Sequence, residues 1–372
     1  MSGDQVTVFL CGDVMLGRGV DQILPHPGDP TLREPVVSDA REYVAMAERT
    51  NGPIPRPVEF PWPWGQALNI LDRAAPDARI VNLETSVTGA GWFDPLKRVH
   101  YRMHPDNVPA LAAVRPDVCV VANNHVLDFG HDGLSETLTV LADAGLDTAG
   151  AGTDIDEARS PATVQLDGGA RLLVFAMGMT SSGIPPTWAA DAGRPGVHVL
   201  GSSPAATRAA IELLREHTGP DDVATVSLHW VSNWGYGIAH EQRRLAYALV
   251  DAGADIVFGH SSHHPRPIEV YRDRLILYGC GDAVDDYEGI RGHEQYRKDL
   301  RLLYLATVAR ATGALTSLRM VPLRVRMMRL ERAAAEDVDW LRATLDRMSR
   351  PYGARVTAAT GGDLTLSWVA AG

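Results

Sequence analysis

The stretch Gly259-His260-Ser261-Ser262-His263-His264-Pro265 places three histidines within five residues, directly after the apolar run Ala254-Asp255-Ile256-Val257-Phe258. An apolar run of this kind reads as a strand buried on both faces, as strands of helix-covered parallel sheets are. A strand ending in Gly-His delivers imidazoles to the carboxyl edge of such a sheet, where open α/β folds carry their sites. The less favoured reading makes His263 and His264 residues of a solvated loop. What argues for a site is that other strand ends of this chain carry partners for them.

Working outward, residues 223–228 form the preceding strand and end in His229-Trp230. Residues 118–122 run into Asn123-Asn124-His125-Val126-Leu127-Asp128, residues 78–81 into Asn82-Leu83-Glu84, and residues 6–11 into Gly12-Asp13. Five strand ends thus offer carboxylate, amide or imidazole groups at one edge, and mixed oxygen and nitrogen donors suit a divalent cation. The short spacing of His125 and Asp128 lets the acid orient the ring and raise its basicity. A dense acidic loop, residues 279–288 with Asp282, follows a further strand and is expected at the same edge.

The remaining pattern alternates strands with helices expected at 65–75, 107–114, 134–144, 204–217, 240–252 and 334–348, an α/β chain. Residues 1–330 read as the main domain and 331–372 as a C-terminal helix and hairpin. Residues 24–65 are rich in proline and are expected to hold no regular helix. Their Phe60-Pro61-Trp62-Pro63-Trp64 run is either a lid over the site or a loop anchored to the body. Arg102, in a polar and aromatic loop, is a candidate to hold a carboxylate or phosphate. A net charge of −11 across 372 residues, with no basic stripe, argues against a nucleic-acid partner. Three cysteines without a C-x-x-C pair suggest reduced thiols. With no signal peptide and no membrane-spanning apolar run recognised, a cytoplasmic protein without a membrane partner is expected.

Gly12-Asp13, Asn82-Leu83-Glu84, Asn123-Asn124-His125 with Asp128, His229-Trp230 and Gly259-His260-x-x-His263 resemble the CapA-like branch of the calcineurin-type metallophosphoesterases over about residues 6–290. The resemblance implies a four-layer αββα sandwich with long loop insertions. It implies Asp13, Glu84, Asn124, His229, His260 and His263 as metal-ligand candidates and His125 as the acid/base imidazole. The chain departs from the ester-cleaving members at Met15, where they usually carry histidine, at Asn82-Leu83-Glu84 in place of the bridging aspartate, and at Gly281-Asp282-Ala283. Thioether sulfur does not replace imidazole for a hard or borderline cation. A single divalent ion (calcium, manganese or zinc) is therefore expected.

Those departures fit a narrower resemblance, to lasso-peptide epimerases of the MslH type. It implies inversion at the α-carbon of a C-terminal tryptophan in a precursor peptide, which would be the partner of this chain. His125 with Asp128 and His263 with Asp282 would be the two acid/base pairs. Trp62, Trp64 and Trp230, with Arg102, would bind the substrate. The alternative implied by the wider resemblance is a phosphoesterase or a polyglutamate-related enzyme.

Overall fold

The computed structural model describes residues 4–369. Among them, two sheets lie face to face. The larger, ten-stranded sheet runs in the order Ala354–Ala358, Leu364–Trp368, Leu315–Val325, Leu300–Ala309, Gln5–Val14, Ala78–Leu83, Val118–Val120, Asp147–Ala149. Asp282–Val284 pairs in parallel with Gln5–Val14, and Leu330–Arg332 pairs antiparallel with Leu315–Val325. The six-stranded sheet runs Ile268–Tyr271, Arg274–Leu277, Ile256–His260, Val223–His229, Arg171–Gly178, Ala162–Gln165.

Strand alternation sorts the second sheet's side chains into two cores. Leu173, Phe175 and Met177 join Val226 and Leu228 against Leu213 and Leu214 of helix Pro204–His217 and Leu245 and Leu249 of helix His240–Ala252. The intervening Leu172, Val174 and Ala176, with Ile256 and Phe258, pack into the core shared with the first sheet. Helices Gln66–Ala74, Val108–Ala112 and Gly130–Asp143 bury Leu71, Leu111, Leu134 and Leu141 in that same core. The result is the α/β sandwich of four layers that the family resemblance implies.

Two expectations fail. The proline-rich stretch contains an α-helix, Arg41–Asn51, which buries Tyr43, Val44 and Ala47. Its prolines all fall outside those residues, so they punctuate the helix without breaking it. The Trp62–Trp64 segment is not a lid. Trp64 is fully buried and its indole N–H donates to the Ala110 carbonyl at 2.8 Å. Trp62 donates to the Met327 carbonyl at 3.0 Å and lies under the Arg329 guanidinium. Trp64 gains apolar burial with a satisfied N–H, and the half-buried Trp62 is held to the body by its own N–H.

The C-terminal hairpin, Ala354–Ala358 with Leu364–Trp368, forms the outer edge of the ten-stranded sheet. Asp346, on helix Ala335–Ser349, ties the two together. It accepts from Arg355 Nε at 2.7 Å, from Arg350 at 2.7 Å and from the Val356 amide at 3.1 Å. Among the described residues no helix is long and apolar enough to cross a membrane.

Two stability predictions follow from this packing. Trp64→Ala is expected to lose about 3–5 kcal/mol of unfolding free energy, read by denaturant melts, while leaving metal affinity unchanged. The hydrogen bond from Arg355, then those from Arg350 and the Val356 amide, hold the Asp346 carboxyl down at about 2. Its stabilisation is present above the ordinary carboxylate value and is lost as pH falls from about 4 toward 2. Asp346→Asn should flatten that part of the acid limb in pH-dependent thermal melts, and an unaltered acid limb would disprove the assignment.

Candidate metal centre and acid/base pairs

The site lies where the carboxyl ends of both sheets meet, and one close backbone approach makes it. A Cβ on Gly12 would stand 1.9 Å from the Gly281 carbonyl oxygen, so only glycine fits there. The Asp13 amide donates to that same carbonyl at 2.9 Å. Asp13 and Asp282 thereby become register partners on adjacent parallel strands. The pairing of Gln5–Val14 with Ala78–Leu83 shifts between Leu10 and Asp13, which sets Asp13 opposite Asn82.

Asp13 is the most heavily engaged acid. Its Oδ1 accepts from Asn82 Nδ2 and from His260 Nδ1, both at 2.8 Å, and its Oδ2 accepts from the Ser261 amide at 3.3 Å. Burial alone would raise its pKa, but the hydrogen bond and charge of His260, then His229, hold it below the usual carboxylate range. Glu84 goes the other way: burial, then the neighbouring Asp13, push it well above its ordinary value. His229 and His260 are register partners with rings stacked 6.3 Å apart. Asn124 Oδ1 lies 2.9 Å from His229 Nε2.

Two groups of donors are close enough to hold an ion, and Asp13 belongs to both. One is Asp13, Glu84 and His229; the other is Asp13, His263 and Asp282. The donor chemistry fits a cation for a second reason. His229 Nδ1, His260 Nε2 and Asp282 Oδ2 are buried and have no hydrogen-bond partner. Buried polar atoms are rarely left unpaired unless an ion or ligand engages the group. Met15, at the position noted above as a departure from histidine, is buried and accepts a hydrogen bond from the Tyr287 hydroxyl at 3.5 Å. Asp282 offers a carboxylate oxygen beside Asp13 in its stead.

Both acid/base pairs read from the sequence are present. His125 Nδ1 donates to Asp128 Oδ2 at 2.6 Å, and His263 Nδ1 to Asp282 Oδ1 at 2.9 Å. The pairs differ electrostatically. Burial, then the Lys97 and Arg18 cations, push the His125 pKa well below its ordinary value. Burial raises Asp128 to about 6, although Lys97 at 3.2 Å opposes this. Burial also disfavours charge on His263, but Asp282, and behind it Asp13 and Asp285, outweigh it and raise that pKa. The free nitrogen of His125, Nε2, lies 4.0 Å from Glu84 Oε1, so this ring faces the first donor group.

The substrate-binding residues expected from the sequence do not come to the site. Trp62 and Trp64 are anchored to Met327 and Ala110 as described. Trp230 is fully buried in the helix-facing core, donating to the Tyr278 carbonyl at 3.1 Å; an indole there has no face for a ligand. Arg102 lies 3.5 Å over the Phe129 ring and donates to the Ala90 carbonyl at 3.1 Å, so its guanidinium is held on that loop and not at the donor groups. The acidic loop also contributes less than its composition suggests. Asp285 is paired with Arg301, Asp286 with Arg18, and Glu288 with the Met327 and Met328 amides, which leaves Asp282 facing the donors.

Residues that sequence reasoning passed over complete the site. The Lys97 ammonium contacts Asp128 and the Asn124 carbonyl. Asn123 bridges Asn82 and Leu83, 3.1 and 2.7 Å away, and fixes the strand end before His125. Tyr101 packs on His125 with centroids 4.0 Å apart, and Tyr287 meets His263 edge-on at 5.2 Å. Trp234 stacks with His293 at 4.1 Å beside His263. All of these sit in irregular segments, where no periodicity marks them.

Comparison with known proteins now adds a frame. The family model described as "Bacterial capsule synthesis protein PGA_cap" matches residues 7–287. A relative from Mycobacterium tuberculosis, named "Probable polyglutamine synthesis accessory protein", is 55% identical over 357 residues, covering 95% of this chain and 93% of its own length. "PGA biosynthesis protein CapA" of Bacillus subtilis is 29% identical over 288 residues, covering 77% of this chain and 64% of the relative. A solved 5'-nucleotidase precursor from Thermus thermophilus aligns with a TM-score of 0.47 at 15% identity, over 93% of this chain and 59% of that one. These findings overturn the expectation of an isomerase that inverts tryptophan in a lasso-peptide precursor. Nearly the whole chain aligns at 55% identity with a protein named for polyglutamine synthesis; of the tryptophans that were to bind the peptide, Trp64 and Trp230 are core residues and Trp62 is half-buried on Met327. The chain belongs to the bacterial capsule synthesis protein PGA_cap family.

Proposed function

We propose that this chain is a metal-dependent phosphoester hydrolase serving polymer synthesis of the kind its relatives are named for. One observation carries the reading: two donor triads share the Asp13 carboxylate, beside a His125–Asp128 pair whose free nitrogen faces Glu84. Asp13, Glu84 and His229, with Asn124, would hold a divalent cation. Asp282 and His263 would complete a second position with Asp13. Imidazole with carboxylate favours manganese or zinc. Such a cation supplies Lewis-acid polarisation of a phosphoryl oxygen and lowers the pKa of water.

The chain's own residues do the remaining work. Asp128 accepts the Nδ1 proton of His125, and also the Tyr101 amide at 2.7 Å, so the imidazole is held in one orientation and one tautomer. Its depressed pKa keeps Nε2 unprotonated near neutrality, so Nε2 is the atom that takes up a proton. Lys97 offsets the negative charge of Asp128 and keeps that carboxylate ionised beside the ring.

Metal affinity and activity give separate tests. Calorimetric titration of chelator-treated protein with Mn²⁺ is expected to show tight binding that Glu84→Gln or His229→Ala abolishes. Because burial and Asp13 push the Glu84 pKa well above its ordinary value, metal binding should displace protons and affinity should rise with pH. An enthalpy that does not vary with buffer ionisation would refute that linkage. With Mn²⁺ or Zn²⁺ bound, the protein should cleave a chromogenic phosphate ester, and His125→Ala should lose on the order of a hundredfold to ten-thousandfold in kcat. A metal-loaded protein inert toward phosphate monoesters and diesters alike would sink the hydrolase reading.

A further inference from the structure

Tyr101 and Tyr287 come from loops 186 positions apart, yet their hydroxyls lie 2.5 Å from each other inside the site. The couple spans both acid/base pairs, since Tyr101 packs on His125 and Tyr287 on His263. Its placement is heavily determined. Tyr101 is fixed by its amide on Asp128 at 2.7 Å. Tyr287 is fixed from both sides: Asp285 is paired with the buried Arg301, and Asp286 takes Arg18 at 2.5 and 3.0 Å. Glu288 accepts from the Met327 amide at 2.8 Å and the Met328 amide at 2.5 Å. Burying so many charges to hold one loop is a costly arrangement if that loop only fills space.

The hydroxyl couple also has an unfinished end. With Tyr101 donating to Tyr287, the Tyr287 proton reaches only Met15 sulfur, at 3.5 Å. A thioether is a weak acceptor. An anionic oxygen brought into the site would take that proton in preference, and Tyr287 is only half-buried, so it is reachable. Met15 thus has a positive role: an imidazole there would be a strong acceptor and would tie the hydroxyl down.

We infer that Tyr287, backed by Tyr101, is a substrate-orienting donor that hydrogen-bonds a phosphoryl oxygen of the bound ester. This rests on the phosphoester reading above. Inorganic phosphate is the probe, titrated calorimetrically into the full chain loaded with Mn²⁺. Tyr287→Phe is expected to weaken phosphate binding on the order of tenfold with Mn²⁺ stoichiometry and Tm unchanged. Met15→Leu, which removes the competing acceptor, should bind phosphate as tightly as the parent or more tightly. If the parent binds phosphate and Tyr287→Phe binds it equally, the tyrosine assignment falls and the hydrolase reading stands. Loss of Mn²⁺ together with phosphate in Tyr287→Phe would show a purely structural role and overturn the inference, as would weakened phosphate binding in Met15→Leu. If the metal-loaded parent neither binds phosphate nor cleaves an ester, both readings fall together.

Discussion

The absence of a side chain at Gly12 is the constraint on which the site depends. It lets the Gly281 carbonyl stand against the first strand and brings Asp282 level with Asp13. The same contact ends the strand with its carboxylate facing Asn82 on one side and His260 on the other. Any Cβ at position 12 would have to displace backbone, which has no rotamer to change. The loss would reach both donor triads, because Asp13 is common to them.

The site concentrates buried charge, and its pKa pattern shows how that is tolerated. Imidazoles hold the Asp13 pKa below the usual carboxylate range, while burial and Asp13 itself push that of Glu84 beside it well above. Two adjacent carboxylates with opposed tendencies are the ordinary result of like charges sharing a low-dielectric site. A cation reverses the balance, since it compensates both. The His125 and His263 pairs show a related contrast: one ring sits near cations and resists protonation, while the other sits among carboxylates and favours it. Two imidazoles of similar geometry are therefore prepared for different protonation states.

Much of this was legible in the sequence because strand ends are legible. Apolar runs that stop at Gly-Asp, Asn-Leu-Glu, Asn-Asn-His, His-Trp and Gly-His mark the strands, and the residues at their ends are Asp13, Glu84, Asn124, His125, His229, His260 and His263; the four layers came from the family those motifs resemble. The pairing of His263 with Asp282 was drawn from loop position alone, and the 2.9 Å contact agrees with it. What failed had a common cause. Trp62, Trp64, Trp230 and Arg102 were assigned by what their side chains could bind, but an aromatic ring or guanidinium is as readily satisfied by a backbone carbonyl and apolar neighbours. The donors that sequence reasoning passed over, Lys97, Tyr101 and Tyr287, lie in irregular segments whose course is set by tertiary contacts. The reaction was misjudged because Met15 was weighed as a lost ligand, without a view of Asp282 beside Asp13.

The first strand also has a history that its final position conceals. Gln5–Val14 lies in the middle of the ten-stranded sheet, and one of its flanks is covered by Leu300–Ala309, so that Thr7 meets Thr307, 300 positions away. During synthesis the segment bearing Asp13 therefore precedes its antiparallel neighbour by some 300 positions. Until that neighbour is made, one side of a strongly apolar strand presents unpaired amides and carbonyls, the pattern that recruits foreign strands. Pairings this distant in sequence also make folding slow. The open flank of the first strand is therefore closed only once residues of Leu300–Ala309 have been made.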